Sequence, residues 1–248
     1  MESLSRPLVS FIVPALNEEA NLPPLFERLL LIGQKLAWPS EILVIDDASD
    51  DRTFQVTQEA SARAAIIRVH RKPLPHGLGL AIREGLARAE GRVGIVVMAD
   101  GVDPLEEAVP AFCEKILRED CRLVLLSRYA LPGDARTIPA SYKIFHAGFR
   151  FFTFRVLGIP LPDTTYAFRG FDVQYLRNLG LRSSGFEISP EITFRTFFSG
   201  GKIGEVAGRQ TRRIRGKSNF SFARVAPGYS WVAIQGLGLR LRRAAPRR

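Results

Sequence analysis

The chain has 248 residues, of which 46% are hydrophobic and 24% charged, a composition typical of a globular protein with a sizeable core rather than of a disordered chain. Lysine and arginine number 35 against 25 aspartate and glutamate, and the net charge of +10 favours an anionic partner: nucleic acid, anionic lipid or a phosphorylated small molecule. Two cysteines exclude a disulfide framework, and the first seven residues lack the apolar core of a signal peptide, so we expect a cytoplasmic protein.

Short apolar runs alternate with amphipathic segments over the first 127 residues. Each continuous run of Val, Ile and Leu predicts a buried strand, and each amphipathic segment predicts a helix. Strands of this kind separated by helices form mostly parallel sheets covered on both faces, so the predicted fold is α/β and Rossmann-like. The predicted strands cover residues 8–14, 41–45, 65–69, 93–98 and 122–126.

The predicted helices carry recognisable start and stop signals. Asn21 is a predicted N-cap of the first helix, and Asp50 and Asp51 are predicted caps of the second. Gly91 is predicted to close the third helix, as glycine does at many helix ends.

Polar side chains follow four of the predicted strands immediately. In sheets of this class ligands bind beyond the carboxyl ends of the strands. Either Asp46 or Asp47 could accept a hydrogen bond from a nucleotide base, and Glu18 could bind ribose hydroxyls, with helix capping as the alternative role. The polar residues at these strand ends are Asn17, Glu18, Asp46, Asp47, Asp100, Ser127 and Arg128.

Two further segments are candidates for binding a phosphorylated ligand. Asp100 is a predicted ligand of a divalent cation, because Mg²⁺ and Mn²⁺ bind carboxylates together with phosphate oxygens. Asp103 is either a second ligand or, as we prefer, the cap of the next helix. Amides near Gly77 precede a helix and could approach a phosphate, although a tight turn explains this glycine equally well.

A helix predicted over residues 139–157 interleaves aromatic side chains with cations. Phe145, Phe149 and Phe152 fall at helical spacing, which fits either a core helix or a helix lying in a membrane interface. Residues 223–248 form a predicted basic, partly amphipathic tail. No stretch is long and apolar enough to cross a membrane, so we expect at most peripheral association with its inner face.

Several motifs, taken in their order along the chain, resemble family-two glycosyltransferases of the GT-A fold. The branch with the greatest resemblance is that of dolichol-phosphate mannose synthase and its bacterial polyprenyl-phosphate relatives. The motifs are FIVPALNEEAN at 11–21, ILVIDDASDD at 42–51, GLG at 77–79, MAD at 98–100, SR at 127–128, DTTYAFR at 163–169, GFE at 185–187 and RIRGKSN at 213–219.

The resemblance covers about residues 8–222 and implies one domain over residues 1–222. Its nucleotide-sugar half would span about 8–128 and its acceptor half about 129–222. It implies a nucleotide-sugar donor, a polyprenyl-phosphate acceptor and a divalent metal, Mg²⁺ or Mn²⁺. The residues that would hold the nucleoside are Pro14, Asn17, Glu18, Asp46 and Asp47; Asp100 would bind the metal, and Ser127, Arg128 and Arg213 would face the phosphates.

Two positions depart from the family pattern. The first Asp of the D-x-D metal motif is Met98 here, and a thioether is a poor ligand for Mg²⁺ or Mn²⁺. The last motif often ends in Lys in the family and ends in Asn219 here, so one phosphate contact is missing or is supplied by Lys217.

The resemblance implies an inverting transfer in which the acceptor oxygen attacks the anomeric carbon. A lipid phosphate needs no base, whereas a hydroxyl acceptor needs a carboxylate such as Asp163 or Glu187, with Glu191 as a third candidate. The alternatives are a soluble transferase acting on a hydroxyl and a catalytically degenerate relative, motivated by Met98. A nucleic-acid-binding protein is disfavoured because carboxylates, not cations, gather at the strand ends. The oligomeric state stays open.

Overall fold

A computed structural model describes residues 7–129, 140–209 and 222–244 of the chain. Its elements in chain order are β1 (Val9–Ala15), α1 (Leu22–Lys35), β2 (Ser40–Asp46), α2 (Thr53–Arg63), β3 (Ile67–Arg71), α3 (Leu78–Arg88), β4 (Val93–Val96), α4 (Leu105–Leu117), β5 (Leu123–Ser127), α5 (Ala140–Phe151), β6 (Arg169–Asp172), α6 (Val173–Arg177), α7 (Ile188–Phe198), β7 (Ile203–Ala207) and α8 (Phe222–Ala244).

The strands form one seven-stranded sheet in the order β3-β2-β1-β4-β6-β5-β7. β6 runs antiparallel to both of its neighbours, and every other pairing is parallel. The predicted α/β fold with a mostly parallel sheet is therefore confirmed. The carboxyl ends of β1 and β2 lie side by side, since Ala15 pairs with Asp46, and this edge carries the polar loops.

Helices cover both faces of the sheet, as the apolar runs predict. One core cluster packs α1 and α4 against Phe11 and Val13 of β1. The other packs α3, α7 and α8 on the opposite face, where Ile12 lies. Successive residues of β1 thus enter different cores, which is why Phe11, Ile12 and Val13 are all apolar.

The antiparallel strand β6 was not predicted because it contains no apolar run. Its first residue, Arg169, is buried and donates hydrogen bonds to Ser189 O at 2.7 Å and Thr193 Oγ1 at 3.2 Å. Burial lowers the pKa of Arg169 to about 10. Gly94 of β4 makes room for this strand, because a Cβ there would lie 2.2 Å from the Phe171 ring.

Asn21 and Gly91 do not act as the helix signals that the sequence predicts. Asn21 does not cap α1; its side-chain amide donates to Glu18 Oε2 at 2.5 Å. Gly91 is not left-handed, and a Cβ there would lie 2.9 Å from Leu8 O, so close packing is what requires glycine. Asp51 does cap the amino end of α2, because its Oδ1 accepts a hydrogen bond from the backbone N–H of Thr53, the first residue of the helix, at 2.9 Å.

The stretch that the sequence presents as a basic tail contains the long helix α8. Its residues Val225, Tyr229 and Val232 are buried, and the Tyr229 ring lies 5.1–5.2 Å from the rings of Phe145 and Phe149 on α5. α5 continues into a π-helical turn, Phe152–Val156. Among the described residues, no helix is long and apolar enough to cross a membrane.

Candidate active site

A cavity of about 370 Å³ opens at the carboxyl edge of the sheet, above β1, β2 and β4. Its walls come from the loops that follow these strands, from the start of α3, from the loop before α7 and from the first turn of α8. The described residues with polar or aromatic side chains on its wall are Glu18, Asp47, His76, Asp100, Phe186 and Arg224.

The structure separates the roles of the two aspartates after β2. Asp46 is fully buried and does not line the cavity; its Oδ1 accepts from Ser49 N at 3.1 Å, and its Oδ2 lies 3.3 Å from Arg71 Nε. Asp47 does line the cavity, which makes it the base-binding candidate of the two. Asp46 instead fixes the turn that presents Asp47, so a direct contact between Asp46 and a nucleoside does not fit this geometry.

Asp47 has a cationic partner that the sequence does not indicate. Lys72, buried just beyond β3, places its Nζ 2.7 Å from Asp47 Oδ1 and also donates to the carbonyl oxygen of Pro73 at 2.8 Å. The other carboxylate oxygen of Asp47 accepts from Gly77 N at 2.7 Å. The aspartate is therefore held rigidly at the cavity wall.

The loop after β1 contributes Pro14 and Glu18 to the cavity, but not Asn17. Asn17 is exposed, and its side-chain Oδ1 accepts a hydrogen bond from Asp50 N at 2.9 Å. Its backbone N–H donates to Ser49 Oγ at 3.0 Å. It therefore joins the loops after β1 and β2 and is placed to position the site rather than to contact a ligand.

Gly77 lines the cavity, but its amide is not available to a phosphate because it donates to Asp47. Close packing explains the glycine: a Cβ at Gly77 would lie 2.3 Å from Ser184 O. The proposed phosphate contact of this amide is thus replaced by a structural one.

The segment after β4 places Asp100 on the cavity wall and buries Asp103 beneath it. Asp103 is neither a helix cap nor an exposed ligand. Its Oδ2 accepts from Met98 N at 2.9 Å and its Oδ1 from the Tyr166 hydroxyl at 2.6 Å. Burial raises the pKa of Asp103 to about 7.

Arg128 and Asp163, which are 35 residues apart in the chain, form a buried ion pair. Arg128 Nε lies 2.7 Å from Asp163 Oδ2, and the guanidinium rests 4.2 Å from the centre of the Tyr166 ring. Burial alone would raise the pKa of Asp163, but the charge and hydrogen bonds of Arg128 hold it below its usual value. Ser127 beside this pair is also fully buried. Arg213 lies outside the described residues.

Comparison with known proteins identifies the chain. The profile of Glycosyl transferase family 2 matches residues 10–180. The undecaprenyl-phosphate mannosyltransferase of Micrococcus luteus is 30% identical over 236 residues, which cover 92% of this chain and 94% of that protein. The chain belongs to glycosyl transferase family 2.

Further relatives and solved structures are consistent with this family assignment of the glycosyltransferase. The dolichol-phosphate mannosyltransferase of Pyrococcus furiosus is 31% identical over 228 residues, 87% of this chain but 62% of that protein, so the chain spans less than two thirds of this relative. Glucosyl-3-phosphoglycerate synthase of Mycobacterium tuberculosis superposes with a TM-score of 0.68 at 20% identity, over 94% of this chain and 80% of the synthase. Mannosyl-3-phosphoglycerate synthase of Rubrobacter xylanophilus superposes with a TM-score of 0.67 at 17% identity, over 98% of this chain and 77% of that synthase. These likenesses establish the GT-A fold.

The donor set of this glycosyltransferase fits a divalent cation only in part. No group of three or more His, Cys, Asp or Glu side chains within the described ranges could hold a metal ion. Asp100 alone offers a carboxylate at the D-x-D position of the cavity wall, beside Met98. One carboxylate suits a cation that is held mainly by substrate phosphates and water, as Mg²⁺ often is. The M. tuberculosis synthase has been solved with Mn²⁺ and UDP-glucose and with Mg²⁺ and UDP.

All three carboxylates considered as general bases are engaged by the protein. Asp163 pairs with Arg128. Glu191 is buried, accepts from Ser183 N at 2.7 Å and lies 2.8 Å from Arg195 Nε. Glu187 lies in a loop as predicted, but its Oε1 accepts from the amides of Ser184 and Gly185 rather than from an arginine. In this conformation none of the three is placed to accept a proton from an acceptor in the cavity.

The sequence does not predict the contacts of Lys72, Tyr166, Phe186 and Arg224. Tyr166 lies in the DTTYAFR motif and Phe186 in the GFE motif, but neither motif indicates what these side chains contact. Lys72 and Arg224 follow no motif, and only the packing of the chain brings them to the site.

His146, beside the Arg128–Asp163 pair, gives a pH prediction. Its Nδ1 lies 2.7 Å from the Tyr129 hydroxyl, and burial, with a contribution from Arg128, lowers its pKa to about 4 from an ordinary 6.5. Below pH 6.5 the unfolded chain binds a proton there that the folded chain does not bind. The contribution of His146 to the free energy of unfolding is therefore fully retained above pH 6.5 and is lost as the pH falls towards 4. The loss is on the order of 2 kcal/mol at pH 4.5.

Urea unfolding at pH 7.5 and pH 4.5 tests this prediction. We expect His146→Gln to lose less stability than the wild type between the two pH values. The two proteins must be compared with each other, because Asp103, with its raised pKa, titrates in the opposite direction. An equal loss in both proteins would contradict the assignment to His146.

Proposed function

We propose that this glycosyltransferase transfers a sugar, with inversion, from a nucleotide-sugar donor to a polyprenyl phosphate at a membrane surface. The observation that carries the proposal is the course of α8. This helix lines the donor cavity at its first turn through Arg224 and then presents an apolar surface to solvent. The relatives from M. luteus and P. furiosus, both polyprenyl- or dolichol-phosphate mannosyltransferases by name, support the same acceptor class.

The exposed apolar side chains of the described residues are concentrated on two adjacent helices. Of nine large hydrophobic residues that are exposed, seven lie on α8, on α5 or on the π-helical turn that continues α5. A concentration of large exposed apolar side chains on neighbouring helices is typical of a surface that binds a membrane or another protein. The seven, which we call the apolar surface, are Ile144, Phe151, Phe154, Trp231, Ile234, Leu237 and Leu241.

Cations accompany this apolar surface. Arg155 on the π-helical turn and Arg240, Arg242 and Arg243 on α8 are all exposed. Apolar residues flanked by arginines are typical of helices that lie in the membrane interface. Each cation near an anionic membrane contributes about 1 kcal/mol to binding, and this contribution is screened by salt. Within the aromatic helix, Phe149 packs towards the core, whereas Phe151 faces outward and supports the interpretation as a helix in a membrane interface.

The proposed reaction needs no general base. An oxygen of the acceptor phosphate, already anionic, forms a bond to the anomeric carbon as the bond from that carbon to the donor diphosphate breaks. The nucleoside diphosphate leaves with the electron pair, and the configuration inverts. The engagement of Asp163, Glu187 and Glu191 by the protein supports an acceptor of this kind over a hydroxyl, which would require a base.

In this proposal the cavity holds the donor. Asp47 accepts from the base and Glu18 from ribose hydroxyls. Asp100 would hold a divalent cation, and that cation would neutralise charge on the leaving group. Ser127, Arg128 and Arg213 stay predicted phosphate contacts; for the first two this requires a movement that uncovers them. Holding the donor and acceptor in line supplies the remaining catalysis.

A transfer assay tests the proposal. The full chain is incubated with UDP- and GDP-hexoses, Mg²⁺ or Mn²⁺, and either a polyprenyl phosphate or 3-phosphoglycerate. We expect a glycosyl phosphate lipid whose anomeric configuration, determined by NMR, is opposite to that of the donor. Transfer to 3-phosphoglycerate alone, or retention of configuration, would overturn it.

Membrane association gives a separate prediction. We expect the protein to co-sediment with vesicles that contain anionic phosphatidylglycerol at low salt, and to be released as salt is raised. Phe151→Glu combined with Ile234→Glu should abolish binding, because both side chains would leave the bilayer interface. Leu31→Glu combined with Leu74→Glu is the matched control, since both leucines are exposed away from the apolar surface. Equal binding by the two double variants would contradict this assignment.

A further inference from the structure

Arg224 is a cation at the donor cavity without a partner among the described residues. It lies in the first turn of α8, its side chain is exposed, and it lines the cavity together with Phe186 and Asp100. No hydrogen bond or ion pair joins it to any residue that the structure describes. An arginine left unpaired at a cavity wall is available to an anionic ligand.

The described wall of the cavity is rich in negative charge, so an anionic ligand needs a cation there. Glu18, Asp47 and Asp100 are carboxylates, and Arg224 is the one lysine or arginine among the described residues that line it. A diphosphate placed here would meet carboxylates from three loops. Two positions that would bring positive charge to the diphosphate in the family pattern also differ here: Met98 stands in place of a carboxylate that would bind a metal ion, and Asn219 stands where the family often has a lysine.

The packing of α8 explains how Arg224 reaches the cavity. Gly228, one turn further along the same helix face, lies directly against Glu187, since a Cβ there would be 2.5 Å from Glu187 Oε2. Glu187 in turn holds the amides of Ser184 and Gly185, in the loop that carries Phe186 to the cavity. Tyr229, the next residue, is buried against α5 and anchors the same turn of α8.

We propose that Arg224 binds the diphosphate of the nucleotide-sugar donor and remains bound to the nucleoside diphosphate as it leaves. The planar guanidinium donates two parallel hydrogen bonds to phosphate oxygens, which suits this role better than a lysine ammonium does. The inference rests on the proposed use of a nucleotide-sugar donor. It adds a residue outside the motifs that carry the family resemblance.

Nucleotide binding by calorimetry tests the inference without an acceptor or turnover. UDP, GDP, uridine and guanosine are titrated into the wild type, Arg224→Gln, Arg224→Lys and Arg118→Gln. Arg118 is the matched control, because it is an exposed arginine directly after α4 and does not line the cavity. We expect Arg224→Gln to lose roughly 10- to 100-fold in affinity for the preferred diphosphate, with the nucleoside unaffected and lysine restoring part of the loss.

Three results would overturn the inference. In the first, Arg224→Gln and Arg118→Gln bind the diphosphate equally well. In the second, Arg224→Gln lowers the affinity for the nucleoside as much as that for the diphosphate, which would mean that Arg224 maintains the shape of the cavity and does not bind phosphate. In the third, diphosphate affinity is unchanged while KM for polyprenyl phosphate rises, which would assign Arg224 to the acceptor phosphate. Failure of the wild type to bind either diphosphate would instead overturn the proposed donor class.

Discussion

Asp100→Asn is expected to lower the turnover number by roughly 10²- to 10³-fold at saturating donor while leaving the fold intact. Asp100 lies on the cavity wall at the only position of the D-x-D motif that retains a carboxylate. Removing one group that stabilises charge in the transition state typically costs a factor of this size. The measurement is kcat at saturating donor and metal, with thermal unfolding as the check on folding.

Two variants make this test specific. Glu107→Gln removes an exposed carboxylate at the start of the next helix and should leave kcat unchanged. Asp103→Asn should reduce kcat less than Asp100→Asn, since Asp103 acts through Met98 and Tyr166 and does not line the cavity. Wild-type turnover by Asp100→Asn would remove Asp100 from the reaction.

Asp47→Ala is expected to destabilise the protein by about 3–5 kcal/mol as well as to weaken nucleotide binding, because it leaves the buried ammonium of Lys72 unpaired. The sequence alone predicts only the loss of binding, in an intact fold, since no cation neighbours Asp47 in the chain. Urea unfolding and calorimetric nucleotide titration measure the two effects separately.

The double variant Asp47→Ala with Lys72→Met separates structure from binding. It removes both charges of the pair, so most of the lost stability should return. Nucleotide affinity should stay low, by roughly 10- to 100-fold, because the hydrogen bond from the base to a charged group is still missing. Recovery of affinity in the double variant would show that Asp47 only neutralises Lys72.

The sequence predicts five of the six parallel strands, β1 to β5, and the edge of the sheet where the site lies, but it does not predict β7. Mainly apolar runs such as 8–14 indicate strands that are buried on both faces, and this pattern depends only on residues that are adjacent in the chain. Carboxylates directly after β1, β2 and β4 had to meet at one edge, because parallel strands bring their carboxyl ends together. Asp47 and Asp100 could therefore be placed without coordinates.

Which polar residues face the cavity and which are buried inside the protein depends on how distant parts of the chain pack together. Asp46 and Asp47 are neighbours with the same side chain, yet Asp46 fixes a turn and Asp47 faces the cavity. The sequence predicts separate roles for Arg128 and Asp163, whereas in the folded protein the two side chains form one ion pair. Arg224 carries no signal beyond a charge at a helix start. The physical reason is that a charge is assigned its role by partners from distant parts of the chain, and their approach depends on packing that no local pattern encodes.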